Sequence, residues 1–524
     1  MRIAYISAGA ADMYCGSCLH DNTLVAALQR LGHDAVLVPT YTRLRTDEPD
    51  VSLDRVFFGA LNVYLKQVAA PLRRGPALLE RLLDRPGLLA LVSRFGASTH
   101  PRRLGELTLS ILRGEQGHQA GELDKLVAWL RDSFQPEIVH LTNSMFAGFA
   151  RRLKAELGVP IVCSVQGEEL FLDSLPEPSR GQARDELAAR ARDVDLFIAP
   201  SRYYAELMAP YLRVERGSLA VVRLGIHLAG YGAGPADRSD RSDRSDRGGD
   251  RAAGPRSDSG SDSGSDPGSD AGADPGSDRS NRGVDRDAGR RSDAGFDPGS
   301  DAGADPGSVQ AAAGPSRSAE TPRPWVIGYL ARIAPEKGLH LLAAAFREVA
   351  ATLGPGRVRL QVAGYLPPQH RRYLRGIERQ LAGWGLGGDY RYLGKVTRDE
   401  KLRFLGGLDV LAAPSVYPAS KGLYVLEALA SGVPVVAPRH GAFPELIEDT
   451  GGGVLVAPGD AAELAAALGE LLQDPGRRER LGRAGREAVH ARYGDDVMAT
   501  ATLALYESCL DARRTAAAAG GRRV

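Results

Sequence analysis

The stretch from Leu408 to Ala437 constrains the fold most. Leu408-Asp-Val-Leu-Ala-Ala-Pro414 is a short apolar run closed by a proline, and it reads as a buried strand. Gly422 to Ala430 then puts Leu423, Leu426 and Ala430 on one helical face and stops at Gly432, after which Val433-Pro-Val-Val-Ala437 is a second apolar run. Strand, polar loop, helix and strand in that order form a parallel unit, and a parallel sheet needs helices on both faces. In such a sheet ligands bind in the crevice beyond the strand ends, where a helix N-terminus offers unpaired N–H groups to anions. Glu427 lies one turn inside this helix among apolar residues. It is either a solvated helix glutamate or a carboxylate directed at that crevice.

The same unit opens the chain. Met1-Arg-Ile-Ala-Tyr-Ile-Ser7 is too short for a signal peptide and reads as a first strand. The loop Ala8 to Gly16, a helix with Leu24, Leu28 and Leu31 at helical spacing, and the strand His33-Asp-Ala-Val-Leu-Val-Pro39 complete a second βαβ unit. The loop lacks a strict Gly-x-Gly-x-x-Gly, so a dinucleotide is poorly supported. Further strands are expected at Pro136 to Leu141, Val159 to Val165, Asp195 to Ser201 and Leu219 to Gly225. Polar or small residues close them: His140, Gln166-Gly-Glu-Glu169, Ser201 and Gly225. A row of that kind at one sheet edge would line a ligand crevice, although a lone His140 is equally a satisfied core histidine.

The 524 residues suffice for two cores, and a net charge of +1 gives no general attraction to nucleic acid or membrane. No run of eighteen apolar residues occurs, which places the protein in the cytoplasm as an expectation. Four cysteines are too few for a disulfide framework, and Cys15-Gly-Ser-Cys18 reads as a loop of small residues rather than a redox or zinc site. Residues 66–113 hold nine Lys/Arg against three Asp/Glu in leucine-rich helices. Such helices usually cover a sheet, but can also rest on an anionic membrane at its inner face. From 232 to 323 repeats such as Asp237-Arg-Ser-Asp-Arg-Ser-Asp-Arg leave almost nothing to bury, so a structureless linker is expected, spanning about 50 Å end to end. The domains are therefore drawn at 1–231 and 324–512, with a tail at 513–524 that should fray.

The second domain begins with the strand Trp325-Val-Ile-Gly-Tyr-Leu330. Ala331-Arg-Ile-Ala-Pro-Glu-Lys-Gly338 follows, so that Arg332 and Lys337 fall in a strand-to-helix loop where cations and helix N–H groups can converge on phosphates. Strands are expected at Val358 to Gly364 and Tyr390 to Gly394, and helices at Ala461 to Leu472, Arg477 to Tyr493 and Val497 to Leu510.

Lys421-Gly-Leu423, Glu427-Ala428, Gly432 and Gly441-Ala-Phe-Pro-Glu445, together with Gly328, Arg332, Lys337 and Gly338, resemble the donor site of family 4 (group 1) glycosyltransferases. The resemblance covers nearly everything outside 232–323. It implies an α/β architecture of two Rossmann-like, doubly wound domains facing a cleft (GT-B), and retention of configuration. By likeness Gly328, Gly338, Gly422, Leu423, Tyr424 and Glu427 would bind the donor, with Glu427 on the ribose. Arg332, Lys337 and Lys421 would act in catalysis, and Gly16, His140, Gln166 and Glu169 would line the acceptor side. The last helix would cross back to the first domain. Two positions depart from the family: its first donor-site glutamate falls on Ala419, and a frequent histidine falls on Gln166.

The expected function is transfer of a hexose from a nucleoside diphosphate sugar to a sugar, lipid or small-molecule acceptor. No metal or other cofactor is required, because no Asp-x-Asp stands in a plausible donor loop. Ser420 or Lys421 would make the sugar contact that Ala419 cannot. A non-catalytic nucleotide-sugar binder and a sugar-nucleotide epimerase of the same fold are the rival readings.

Overall fold

A computed structural model describes residues 1–9, 16–44, 46–57, 101–232 and 323–520. The loop 10–15, the greater part of the basic segment 66–113, and the expected linker lie outside them.

The first sheet has six parallel strands: β1 (Arg2–Ser7), β2 (Asp34–Pro39), β3 (Ile138–Leu141), β4 (Ile161–Ser164), β5 (Leu196–Ala199) and β6 (Leu219–Val221). Their order is β2-β1-β3-β4-β5-β6, with Ile3 opposite both Ala35 and Ile138. The strands read as unbroken apolar runs because both faces are covered; Ile3 to Ile6, Ile138 to Leu141 and Ile161 to Cys163 are all sealed from solvent. The second sheet comprises β7 (Trp325–Leu330), β8 (Val358–Ala363), β9 (Tyr390–Tyr392), β10 (Val410–Ala412), β11 (Val435–Pro438) and β12 (Gly453–Val456). Its order is β12-β11-β10-β7-β8-β9, again all parallel. Both sheets reverse strand order beside their first strand, which is where a doubly wound sheet opens its crevice.

Two segments tie the sheets together. Leu224, Ile226 and Tyr231 leave the first sheet and join the apolar cluster of the second, beside Leu405, Leu426 and Tyr493. In return the last helix, Asp495–Gly520, places Met498, Ala499 and Tyr506 among Ile3, Tyr5 and Leu28 of the first domain. This is the return crossing that the resemblance implies. The helix runs through the tail expected to fray, as far as Gly520, because Thr515-Ala-Ala-Ala-Ala519 is built from the strongest helix former.

His140 is not at the sheet edge. It lies inside β3, fully buried, with Nδ1 hydrogen-bonded to Tyr506 Oη at 2.5 Å and Nε2 to Ser164 Oγ at 2.8 Å. Both ring nitrogens are satisfied within the protein, and burial pulls the imidazole pKa down to about 3. It is a neutral core histidine that holds the returning helix.

Candidate active site

A cavity of about 510 Å³ lies between the C-terminal ends of the two sheets. The end of β7 and the loop after it bring Leu330, Ala331, Arg332 and Lys337 to it, and the loop after β10 brings Tyr417 and Ala419 to Lys421. The helix Leu423–Ala430 adds Leu423, Tyr424 and Glu427. Across from them stand Gly16, Ser17 and Leu19 at the start of the helix Gly16–Arg30, with Gln166, Gly167 and Leu170 after β4.

Lys337 is the cation best placed for an anion. Among the described residues its side chain makes no hydrogen bond or ion pair, and burial, then the neighbouring Arg332, push its pKa below the ordinary lysine value although Glu336 opposes them. An uncompensated ammonium in a partly desolvated loop gains most from a bound polyanion. Arg332 is more exposed and pairs with Glu336, Nη2 to Oε1 at 2.5 Å. The helix Leu423–Ala430 starts at Gly422 with no side-chain cap, and its first N–H groups are therefore open to a ligand.

Lys421 crosses the cleft, donating from Nζ to Ser17 Oγ at 2.8 Å and to Gln166 Oε1 at 2.6 Å. Gln166 is fixed in turn by Asp21, which accepts from its Nε2 at 2.8 Å. Asp21 is fully buried and also accepts from Tyr5, Ser7 and Thr142. Burial would raise this carboxyl, yet hydrogen bonds and the charge of His20 lower it below its ordinary value.

Glu427 is 6% exposed and not solvated. Its Oε1 accepts from Lys401 Nζ at 2.5 Å and from Tyr231 Oη at 3.2 Å. Lys401 also pairs with Asp47 of the first domain. Burial alone would lower its pKa, but Glu427, Tyr231 and Asp47 override this and raise it.

Other expected residues serve the site from behind. Gly328 is inside β7, where a Cβ would come within 2.1 Å of Leu408 Cδ1, so it permits packing and does not line the cavity. Gly338 has φ +74°, and a Cβ would sit 1.7 Å from the Pro414 carbonyl oxygen; only glycine lets the loops after β7 and β10 touch. A Cβ on Gly422 would meet Leu446 Cδ1 at 2.4 Å. Glu169 lies behind the wall, bonded by the hydroxyls of Tyr204 and Tyr417, with its pKa raised first of all by burial. Ala419 carries no polar side chain to the cavity, and its carbonyl accepts from Ala442 N at 2.8 Å.

Sequence reasoning missed Asp47, Lys401, Tyr231 and Asp21. Lys401 was a visible signal, since Lys401, Phe404, Leu405 and Leu408 recur at helical spacing and place the lysine on the buried face of the helix Arg398–Gly406.

Residues 315–488 match the family model described as glycosyl transferases group 1, and residues 93–229 the model described as glycosyltransferase family 4. A phosphatidyl-myo-inositol mannosyltransferase of Mycobacterium leprae is 42% identical over 137 residues, 26% of this chain and 36% of that protein. A glycogen synthase of Mycobacterium tuberculosis is 33% identical over 199 residues, 36% of this chain and 44% of the relative. The chain thus spans less than half the length of these curated relatives. Among solved structures, Anabaena HepE in complex with UDP has a TM-score of 0.58 at 16% identity, covering 97% of this chain and 100% of that one. Sucrose-phosphate synthase from Thermosynechococcus elongatus has a TM-score of 0.60 at 17% identity, covering 98% and 100%. At such identities these two speak for the fold alone.

Proposed function

Because the chain belongs to the group 1, family 4 glycosyltransferases and has the GT-B fold, we propose that it transfers a hexose from a nucleoside diphosphate sugar to an acceptor held by the first domain, with retention of configuration. The observation that carries this reading is that the partly buried Lys337, whose side chain has no ion-pair partner among the described residues, lines one cavity with Glu427, a cation for the diphosphate and a carboxylate for the ribose. Lys337 and Arg332 neutralise charge developing on the leaving diphosphate, each contact contributing about 1.5–3 kcal/mol. The open N–H groups of Leu423 and Tyr424 meet sugar and phosphate. In this reading the two cations do the work of a divalent ion, and no metal is required. In this reading Ser17, Gln166 and Lys421, joined across the cavity, meet the entering acceptor hydroxyl.

Named relatives fit a hexose: the mannosyltransferase above, and a 2-deoxystreptamine glucosyltransferase of Streptomyces kanamyceticus that is 34% identical over 190 residues. The test is to supply labelled UDP-glucose, GDP-mannose and ADP-glucose with a cell-extract acceptor pool, then determine the anomeric configuration of any product. Label in a product with the donor's configuration supports the reading, and inversion overturns it.

Ala419 and Gln166 favour a second reading, a nucleotide-sugar binder without catalysis. Turnover in the same assay excludes it. Product formed without an acceptor would instead mark an epimerase.

A further inference from the structure

We propose that Lys401 is a positioning residue for the donor: its ion pair holds the Glu427 carboxylate turned to the ribose, and it does so while shared with Asp47 of the other domain. This rests on the reading of Glu427 as the ribose acceptor. The helix that carries Lys401 is set by a capping box, with Thr397 Oγ1 accepting from Glu400 N and the Glu400 side chain accepting from Thr397 N at 2.8 Å. One turn apart on it, Arg398 and Lys401 face the segment Thr46 to Glu48 of the first domain. Arg398 Nη1 lies 3.4 Å from Glu48 Oε1, and Lys401 pairs with Asp47. Arg398 also donates to the carbonyls of His227 and Ala229, both at 2.8 Å, which locks the helix to the chain crossing.

The ammonium is 7% exposed and meets two carboxylates that are 9% and 8% exposed. A lysine at that depth is kept only by its partners. Both bonds to Glu427 fall on Oε1, so among the described residues Oε2 has no hydrogen-bond donor and is left for the ribose hydroxyls. The groups around Glu427 are Lys401 and Arg398 on their helix, Asp47 and Glu48 on the opposite segment, and Tyr231 with His227 on the crossing. Without Lys401 the Asp47 and Glu427 carboxylates confront each other, and their repulsion turns Glu427 away from the position in which Oε2 meets the ribose.

The experiment is calorimetry, at one pH, of whichever of UDP, GDP and ADP the wild type binds. The variants are Lys401→Met, Lys401→Arg, Lys401→Met/Asp47→Asn and Glu427→Ala. Lys401→Met binds about tenfold more weakly than wild type, as loss of the bond that orients Glu427 requires. Lys401→Arg, which keeps the cation, recovers most of the lost affinity. The double variant, which removes the opposing charge and so protects folding, still binds more weakly than wild type. A Lys401→Met or double variant with wild-type affinity overturns the proposal, provided Glu427→Ala weakens binding. If Glu427→Ala binds as wild type, the ribose reading itself falls, and this inference with it.

Discussion

Lowering the pH should destabilise the first domain through His140, by an amount that follows from its burial. The ring is held neutral with a pKa of about 3, against 6.5 for a free histidine. Between those values the unfolded chain holds a proton that the folded chain does not, so stability rises with pH across the window and is lost as pH falls below 6.5. Integrating the two titrations gives a loss of about 2 kcal/mol from pH 7 to pH 5, and about 3 kcal/mol by pH 4. Other groups titrate over the same range, so the measure is the difference between wild type and His140→Gln. Glutamine can still bond Tyr506 and Ser164 but carries no titrating group. Urea unfolding followed by Trp129 fluorescence, in a background with Trp325→Phe and Trp384→Phe, isolates the first domain. Wild type should lose about 2 kcal/mol more than the variant between pH 7 and pH 5. Equal losses in the two proteins would refute the assignment of His140 as a buried neutral group.

Two further outcomes are expected. In thermal melts Gly338→Ala should cost upwards of about 2 kcal/mol, and it should abolish nucleotide binding, since it adds a carbonyl clash to a left-handed backbone; Gly356→Ala, with φ +70° but open space around it, should cost only about 1 kcal/mol in those melts. The Ser420→Ala/Lys421→Ala variant should lose about tenfold or more in transfer rate, because Lys421 is the cation that reaches Ser17 and Gln166; a wild-type rate would remove both residues from the sugar contact.

Both parallel sheets were legible in the sequence because strands covered on two faces are plain apolar runs, and Gly32, Gly432 and Gly451 punctuate them. The cavity wall was legible for a different reason: Lys337, Lys421 and Glu427 fall in the motifs that resemble the family's donor site. His140 was ambiguous because its partners, Ser164 and Tyr506, lie 24 and 366 residues away, and only the return of the last helix satisfies its second nitrogen. Asp21 and Lys401 were missed because each is a charge on the buried face of a helix, where pattern reading expects apolar residues. Their cost of burial is offset by partners from distant segments, Thr142 and Gln166 for one and Asp47 for the other. Gly328 and Gly422 have the spacing of ligand contacts, yet the structure uses their missing side chains to admit Leu408 and Leu446.

The central claim is that Lys337 and Glu427 hold opposite ends of one nucleoside diphosphate. Calorimetry with UDP, GDP and ADP on wild type, Lys337→Ala and Glu427→Ala tests it most directly. The account predicts that one nucleotide binds wild type and that each variant weakens it about tenfold or more, as the loss of a charge-assisted bond requires. Binding of that nucleotide at wild-type strength by either variant would contradict it, and so would failure of all three to bind wild type.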